Sequence, residues 1–184
     1  MPTIITHGFV GIIGGKIFSD SEKAKFWILS ALVAMIPDAD VIAFRFGIPY
    51  DSIFGHRGFS HSILFALILA LIVMFAGFRE ITFGSKRWYQ YAAYFFLIAL
   101  SHAVLDSFTN GGLGVGLFIP FGAERYFAPF RPIEVSPIGV SRFLDGSAIP
   151  VLVSEFLWVW LPFTAIYLIK LIVKRFKKSE NKEI

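Results

Sequence analysis

His56-Arg57-Gly58-Phe59-Ser60-His61, followed directly by Ser62-Ile-Leu-Phe-Ala-Leu-Ile-Leu-Ala-Leu-Ile-Val-Met-Phe-Ala-Gly-Phe78, is the stretch that decides the fold. The part from Ser62 to Phe78 carries no charge. That is close to the roughly 18 residues at which an apolar run is read as a membrane helix. The part before it sets two imidazoles and a guanidinium at the mouth of the run. Ionisable groups at such depth are costly and mark function. Ser60 reads as the N-cap of the helix that follows.

Working outward, four more apolar runs flank this one: Thr3 to Phe18, a run from Phe26 broken by Pro37, Asp38 and Asp40, Trp88 to Leu105, and Val151 to Val173. Lipid leaves backbone groups no partners outside a helix, so the segments are helical. Pro37 predicts a break in the second. The chain of 184 residues is 56% hydrophobic, with mean hydropathy +0.69. Only 16% of residues are charged, against about 25% in soluble domains. No secretory signal pattern is evident. The expectation is an all-α integral membrane bundle of about five segments. Its Gly/Pro-rich stretch, Ser107 to Pro150, folds back as an outer cap. Residues 1–176 form the domain, and 177–184 a basic, disordered cytoplasmic tail.

The chain has no cysteine. Disulfides, thiol nucleophiles and thiolate zinc sites are therefore excluded, and a metal must be held by imidazole, carboxylate, backbone or water. The net charge of +4 sits beside the apolar runs, so it orients the chain in a membrane and does not point to nucleic acid. Twelve of the 17 basic residues fall at one end of the runs. The positive-inside rule places that end in the cytoplasm and the opposite end, with its polar motifs, on the far side of the membrane.

The four histidines, His7, His56, His61 and His102, all lie near that outer end. Measured along helices from the inner boundary, His7 lies about 16 Å up, Asp38 about 18 Å, His102 about 21 Å, His61 about 26 Å and Asp106 about 27 Å. Segments of alternating direction thus bring their ionisable residues into one slab. His102 and Asp106 are spaced i, i+4 and share a helix face. His56 and His61 are five apart, which puts His56 on a loop and His61 on a first helical turn. Asp38 and Asp40 straddle a helix break. Each has a bland alternative: a lone membrane histidine packs helices, Asp38 or Asp40 caps a helix, Arg57 anchors at the interface. The common depth favours a metal site with candidate ligands His7, Asp38, Asp40, His56, His61, His102 and Asp106. Zinc is the first choice, because nitrogen donors are plentiful, and manganese the second.

Thr6-His7-Gly8, Pro37-Asp38-Ala39-Asp40, His56-Arg57-Gly58-Phe59-Ser60-His61-Ser62 and His102-Ala-Val-Leu-Asp106 resemble, in order, the motifs of the YdjM-like, inner-membrane-associated metal-dependent hydrolases. Ile119-Pro-Phe-Gly-Ala-Glu-Arg125 and Val135-Ser136-Pro137 are similar to the later motif of that family, although Gly122-Ala-Glu-Arg125 departs from its usual Ser-Asp-Arg-Arg-like run. That family is distantly similar to zinc phospholipases C and zinc single-strand nucleases. The analogy implies that an Asp of Pro-Asp-x-Asp, a His of His-x4-His, His102 and Asp106 share one zinc.

The expected activity is metal-assisted hydrolysis of a phosphoester in a lipid or lipid-linked, anionic substrate. Whichever of Asp38, Asp40 and Asp106 is not a ligand takes the water proton, and Arg57 and Arg125 hold the anion. The rivals are a scaffold whose metal only ties helices together and an ion or proton transporter. Polar residues gathered at one face leave the transporter no path across the bilayer.

Overall fold

The computed structural model describes residues 1–19, 22–139 and 142–180. Helix α1, Ile4–Phe18, starts at Thr3, whose side chain accepts from the Thr6 amide at 3.3 Å. Small residues let α1 lie backbone to backbone on α2, Ala24–Met35. A Cβ added at Gly11 would stand 2.4 Å from the Ser30 carbonyl oxygen and 2.7 Å from the Ala31 Cα.

At Met35 the α-helix tightens into a 3-10 helix, Ile36–Phe46. Pro37 is the physical cause, since its ring displaces the carbonyl four residues back and it donates no hydrogen bond. The break expected there is therefore a change of winding. Eleven residues is long for a 3-10 stretch, which marks strain or function. The turn Phe59–His61 leads into α3, Ile63–Gly77. Its N-cap is Ser62, which accepts from the Phe65 amide at 3.0 Å. The expectation of Ser60 is corrected here: the Ser60 hydroxyl is taken by Asp40 at 2.5 Å. Helix α4 covers Lys86–Ser107.

Residues 108–139 cap the end of the bundle without a strand ladder; only isolated bridges, Thr109 with Ile133 and Val115 with Tyr126, join them. Backbone bonds from Ala128 to Ser107 at 2.9 Å and from Ile63 to Leu117 at 3.0 Å fasten the cap to α4 and α3. The last rod is α5, Ala148–Glu155, a π turn, Phe156–Trp160, and α6, Leu161–Glu180. Helix thus continues to Glu180, past the 176/177 boundary expected for a disordered tail; residues 181–184, Lys182 among them, lie outside the described residues.

At the end of the bundle away from the cap the core is aromatic, with Phe26, Phe78, Tyr91, Tyr94 and Phe95 buried together. Among the described residues two helical stretches, Ala24–Phe46 and Ala148–Ser179, are long and apolar enough to cross a membrane. Ile4–Phe18 and Ile63–Gly77 are apolar but shorter than a full span.

Candidate metal centre

The cap end buries a set of ionisable side chains: His7, Asp38, His56, Arg57, His61, His102 and Asp106 are at most 4% exposed. Asp38 comes from the 3-10 helix after α2, His61 from the turn before α3, and His102 with Asp106 from one face of α4. One nitrogen or oxygen of each of these four lies within 4.8 Å of all the others.

Hydrogen bonds on the far side of each ring fix which atoms face inward. His102 Nδ1 lies 2.7 Å from the Ala34 carbonyl oxygen, which can only accept. Nδ1 therefore carries the hydrogen, and Nε2 presents a lone pair. His61 Nδ1 lies 3.2 Å from Asp40 Oδ2, an acceptor, and its Nε2 also faces inward. The two Nε2 atoms are 3.0 Å apart. Asp38 Oδ1 stands 3.3 Å from His102 Nε2 and 3.8 Å from His61 Nε2. Asp106 Oδ2 stands 3.5 Å from His61 Nε2. Four acceptors converge, and acceptors repel unless a cation or a proton lies among them. Among the described residues, neither Asp38 oxygen has a hydrogen-bond partner, and the Asp106 carboxylate has only an ion pair, from Arg57 Nε to Oδ2. Such orphaned buried oxygens are rare and call for an ion. A tetrahedral site with bonds of about 2.0–2.1 Å has edges of about 3.3 Å, so the observed separations bracket the spacing that a zinc-sized ion needs.

Asp40 stands apart from this set. Its Oδ1 lies 2.6 Å from His56 Nδ1, and its Oδ2 accepts from the Arg57 amide at 3.1 Å and from Ser60 Oγ at 2.5 Å, besides facing His61. A carboxylate so fully engaged orients a ligand and has little basicity left. Asp40, His56 and His61 form a second close group, but one whose atoms already satisfy each other. His7 stacks on His102 with ring centroids 3.7 Å apart. Its Nε2 lies 3.4 Å from Asp106 Oδ1, and neither of its ring nitrogens makes a hydrogen bond among the described residues.

The two arginines are placed differently from the expectation that they hold a substrate anion. The Arg57 guanidinium is fully buried, with Nε 3.0 Å from Asp106 Oδ2, Nη1 donating to the Gly111 carbonyl at 3.0 Å and Nη2 to Thr109 Oγ1 at 2.9 Å. It neutralises Asp106 and offers no surface to a substrate. Its backbone φ of +62° is costly for a side chain with a Cβ and is held by these bonds. Arg125 Nη1 donates to the His56 carbonyl at 2.9 Å, and Nη2 to Tyr50 and Ser52 carbonyls at 3.1 and 3.0 Å. It clamps the loop that carries His56.

Glu155 was not singled out in the sequence. It is completely buried and receives the Thr3 amide, with Thr3 and Thr6 hydroxyls at 2.7 and 2.6 Å. Trp160 Nε1 donates to the same Thr6 hydroxyl at 2.7 Å. This network ties the last rod to the first turn of α1, one residue before His7. The available signal was that Glu155 is the sole acidic residue between Val151 and Val173.

The profile of the YdjM inner membrane protein family matches residues 1–178. The chain is also 42% identical over 163 residues to inner membrane protein YbcI of Escherichia coli (strain K12), covering 88% of this chain and 92% of that protein. No solved structure matches.

Proposed function

Since the chain belongs to the YdjM inner membrane protein family, we propose that it is a multi-pass inner-membrane hydrolase that uses one divalent metal, zinc by preference, on a phosphoester of a lipid or lipid-linked substrate. The observation that carries this reading is the convergence of four buried acceptors, from Asp38, His61, His102 and Asp106, with no donor among them. These four residues would hold the ion. When bound, it lowers the pKa of a water towards 7 and polarises the phosphoryl oxygen.

The other side chains have separable tasks. Asp40 and the Ala34 carbonyl fix the two imidazoles with Nε2 inward. Arg57 compensates the charge of Asp106. His7, with both ring nitrogens unengaged beside Asp106 Oδ1, is the group able to accept a proton and return it to a leaving group. It takes the base role expected of a spare carboxylate, because Asp40 is saturated with donors. Substrate at the membrane surface fits an inner-membrane bundle whose site lies under one end.

A structural metal is the second reading, and one observation favours it: four protein donors already complete a tetrahedral shell, as in closed structural sites. Cobalt substitution separates the two. Inorganic phosphate added to the cobalt protein should change its visible spectrum if a coordination position opens to an outside ligand. An unchanged spectrum at saturating phosphate supports the closed, structural site.

A further inference from the structure

Beside the metal centre an apolar groove of about 320 Å³ runs between α3, α4 and the cap. Ile63 and Leu67 of α3, Phe96 of α4, and Leu117, Phe118 and Phe121 of the cap are among its walls. It begins two residues after His61. Leu67 lies six residues beyond His61 and Phe96 six residues before His102, so both helices carry the groove about 9 Å from the ligand layer towards the middle of the bundle.

The groove is built into the site. The Gly116 amide donates to the Arg57 carbonyl at 2.9 Å, and the Ile63 amide to the Leu117 carbonyl at 3.0 Å. The cap wall of the groove is thereby joined through backbone to the segment that bears Arg57 and His61. Phe121 is 85% exposed and Phe118 50% exposed at the rim. Aromatic side chains presented this way on a membrane protein sit at the level where headgroups meet acyl chains. A cavity this small lies at the lower end of ligand sites. Its volume of about 320 Å³ is less than one turn of a helix about 10 Å across occupies, whereas it holds much of a hydrocarbon chain.

We propose that this groove is the acyl-chain site of the substrate, receiving one tail of a membrane lipid while its phosphate reaches the ligand layer above. The assignment of the tail to a substrate rests on the hydrolase reading; the binding of the tail does not. The groove makes the protein a reader of tail length. Burying each methylene should tighten binding about fourfold until the groove is full.

Calorimetric titration of the zinc-loaded protein in amphipol tests this, using monomeric phosphatidylglycerols of increasing acyl length and glycerol phosphate as the tail-less probe. Wild type should show a fall in Kd with each methylene and then a plateau. Leu67→Trp, which fills the groove from a half-exposed position, should bind the longest lipid at least tenfold more weakly. Its zinc content and its affinity for glycerol phosphate should not change. Leu67→Ala should instead move the plateau to longer chains. The same tail dependence in wild type and both variants would overturn the proposal, since the tail would then be partitioning onto the general apolar surface. If the dependence appears as described but no bound lipid is cleaved, the groove stands and the hydrolase reading fails.

Discussion

At the scale of single residues, the site sorts its carboxylates by what else they touch. Asp38 keeps both oxygens free of hydrogen bonds, Asp106 keeps Oδ1 so while Arg57 pairs with its Oδ2, and Asp40 has none to spare. Asp106→Ala is therefore expected to abolish metal binding. Asp40→Asn should weaken it about 10–100-fold while leaving the stoichiometry intact, as for carboxylates that orient a ligating histidine. Competition titration with a zinc chelator checks both, and equal losses in the two variants would contradict the division. Arg57 gives a second prediction. Its removal leaves Asp106 charged, buried and short of its partner. Arg57→Ala should destabilise the metal-free protein by about 3–5 kcal/mol, read from denaturant unfolding in detergent. A loss below about 1 kcal/mol would show that the pair is solvated. Which residues gather was legible in the sequence, because histidines and aspartates at one depth have few other reasons to be there. Their roles were not. Whether Arg57 faces a substrate or Asp106 depends on a left-handed backbone turn and on partners such as Thr109 and Gly111, more than fifty positions away.

At the scale of elements, the candidate metal centre depends on how α1 and α2 meet and on how α2 ends. The 3-10 winding after Met35 turns Asp38 inward and Asp40 towards the His56–His61 loop, so two carboxylates two residues apart serve different tasks. The sequence showed the break through Pro37, but not its form, because proline dictates what the α-helix loses and not what replaces it. The Ser60 cap failed for a related reason: a long-range acceptor, Asp40, outbid the local backbone for the hydroxyl. Gly58 is tightly packed, since a Cβ there would lie 2.2 Å from the Ile53 carbonyl oxygen. Gly11 offers the element-scale test. Gly11→Leu forces apart the helices that deliver His7 and Asp38. It should lower both the melting temperature and zinc affinity, whereas Leu67→Ala, away from this contact, should leave zinc affinity unchanged. Wild-type zinc affinity in Gly11→Leu would mean that the α1–α2 contact does not position the site.

At the scale of the whole molecule, the all-helical membrane architecture and the cap were legible, because hydropathy and Gly/Pro content report the solvent that each segment needs. The tie between the last rod and α1 was less so, since it rests on one buried glutamate reaching back 149 and 152 positions to Thr6 and Thr3. Sidedness is a proposal at this scale. The chain has no cysteine, so single cysteines can be introduced at the exposed positions Asp51 and Thr82. An impermeant thiol reagent applied outside the inner membrane should label Asp51→Cys and spare Thr82→Cys; the reverse pattern would invert the topology. The hydrolase proposal requires that the converging acceptors hold a metal that performs hydrolysis. The most direct measurement is turnover of a panel of phospholipid and lipid-linked phosphoesters by the zinc-loaded protein, before chelation, after it, and after zinc is restored. Cleavage of at least one phosphoester should be abolished by chelation and restored by zinc, with none in Asp106→Ala. A fully metallated wild type that cleaves no member of the panel would contradict it and leave the metal as a tie between helices.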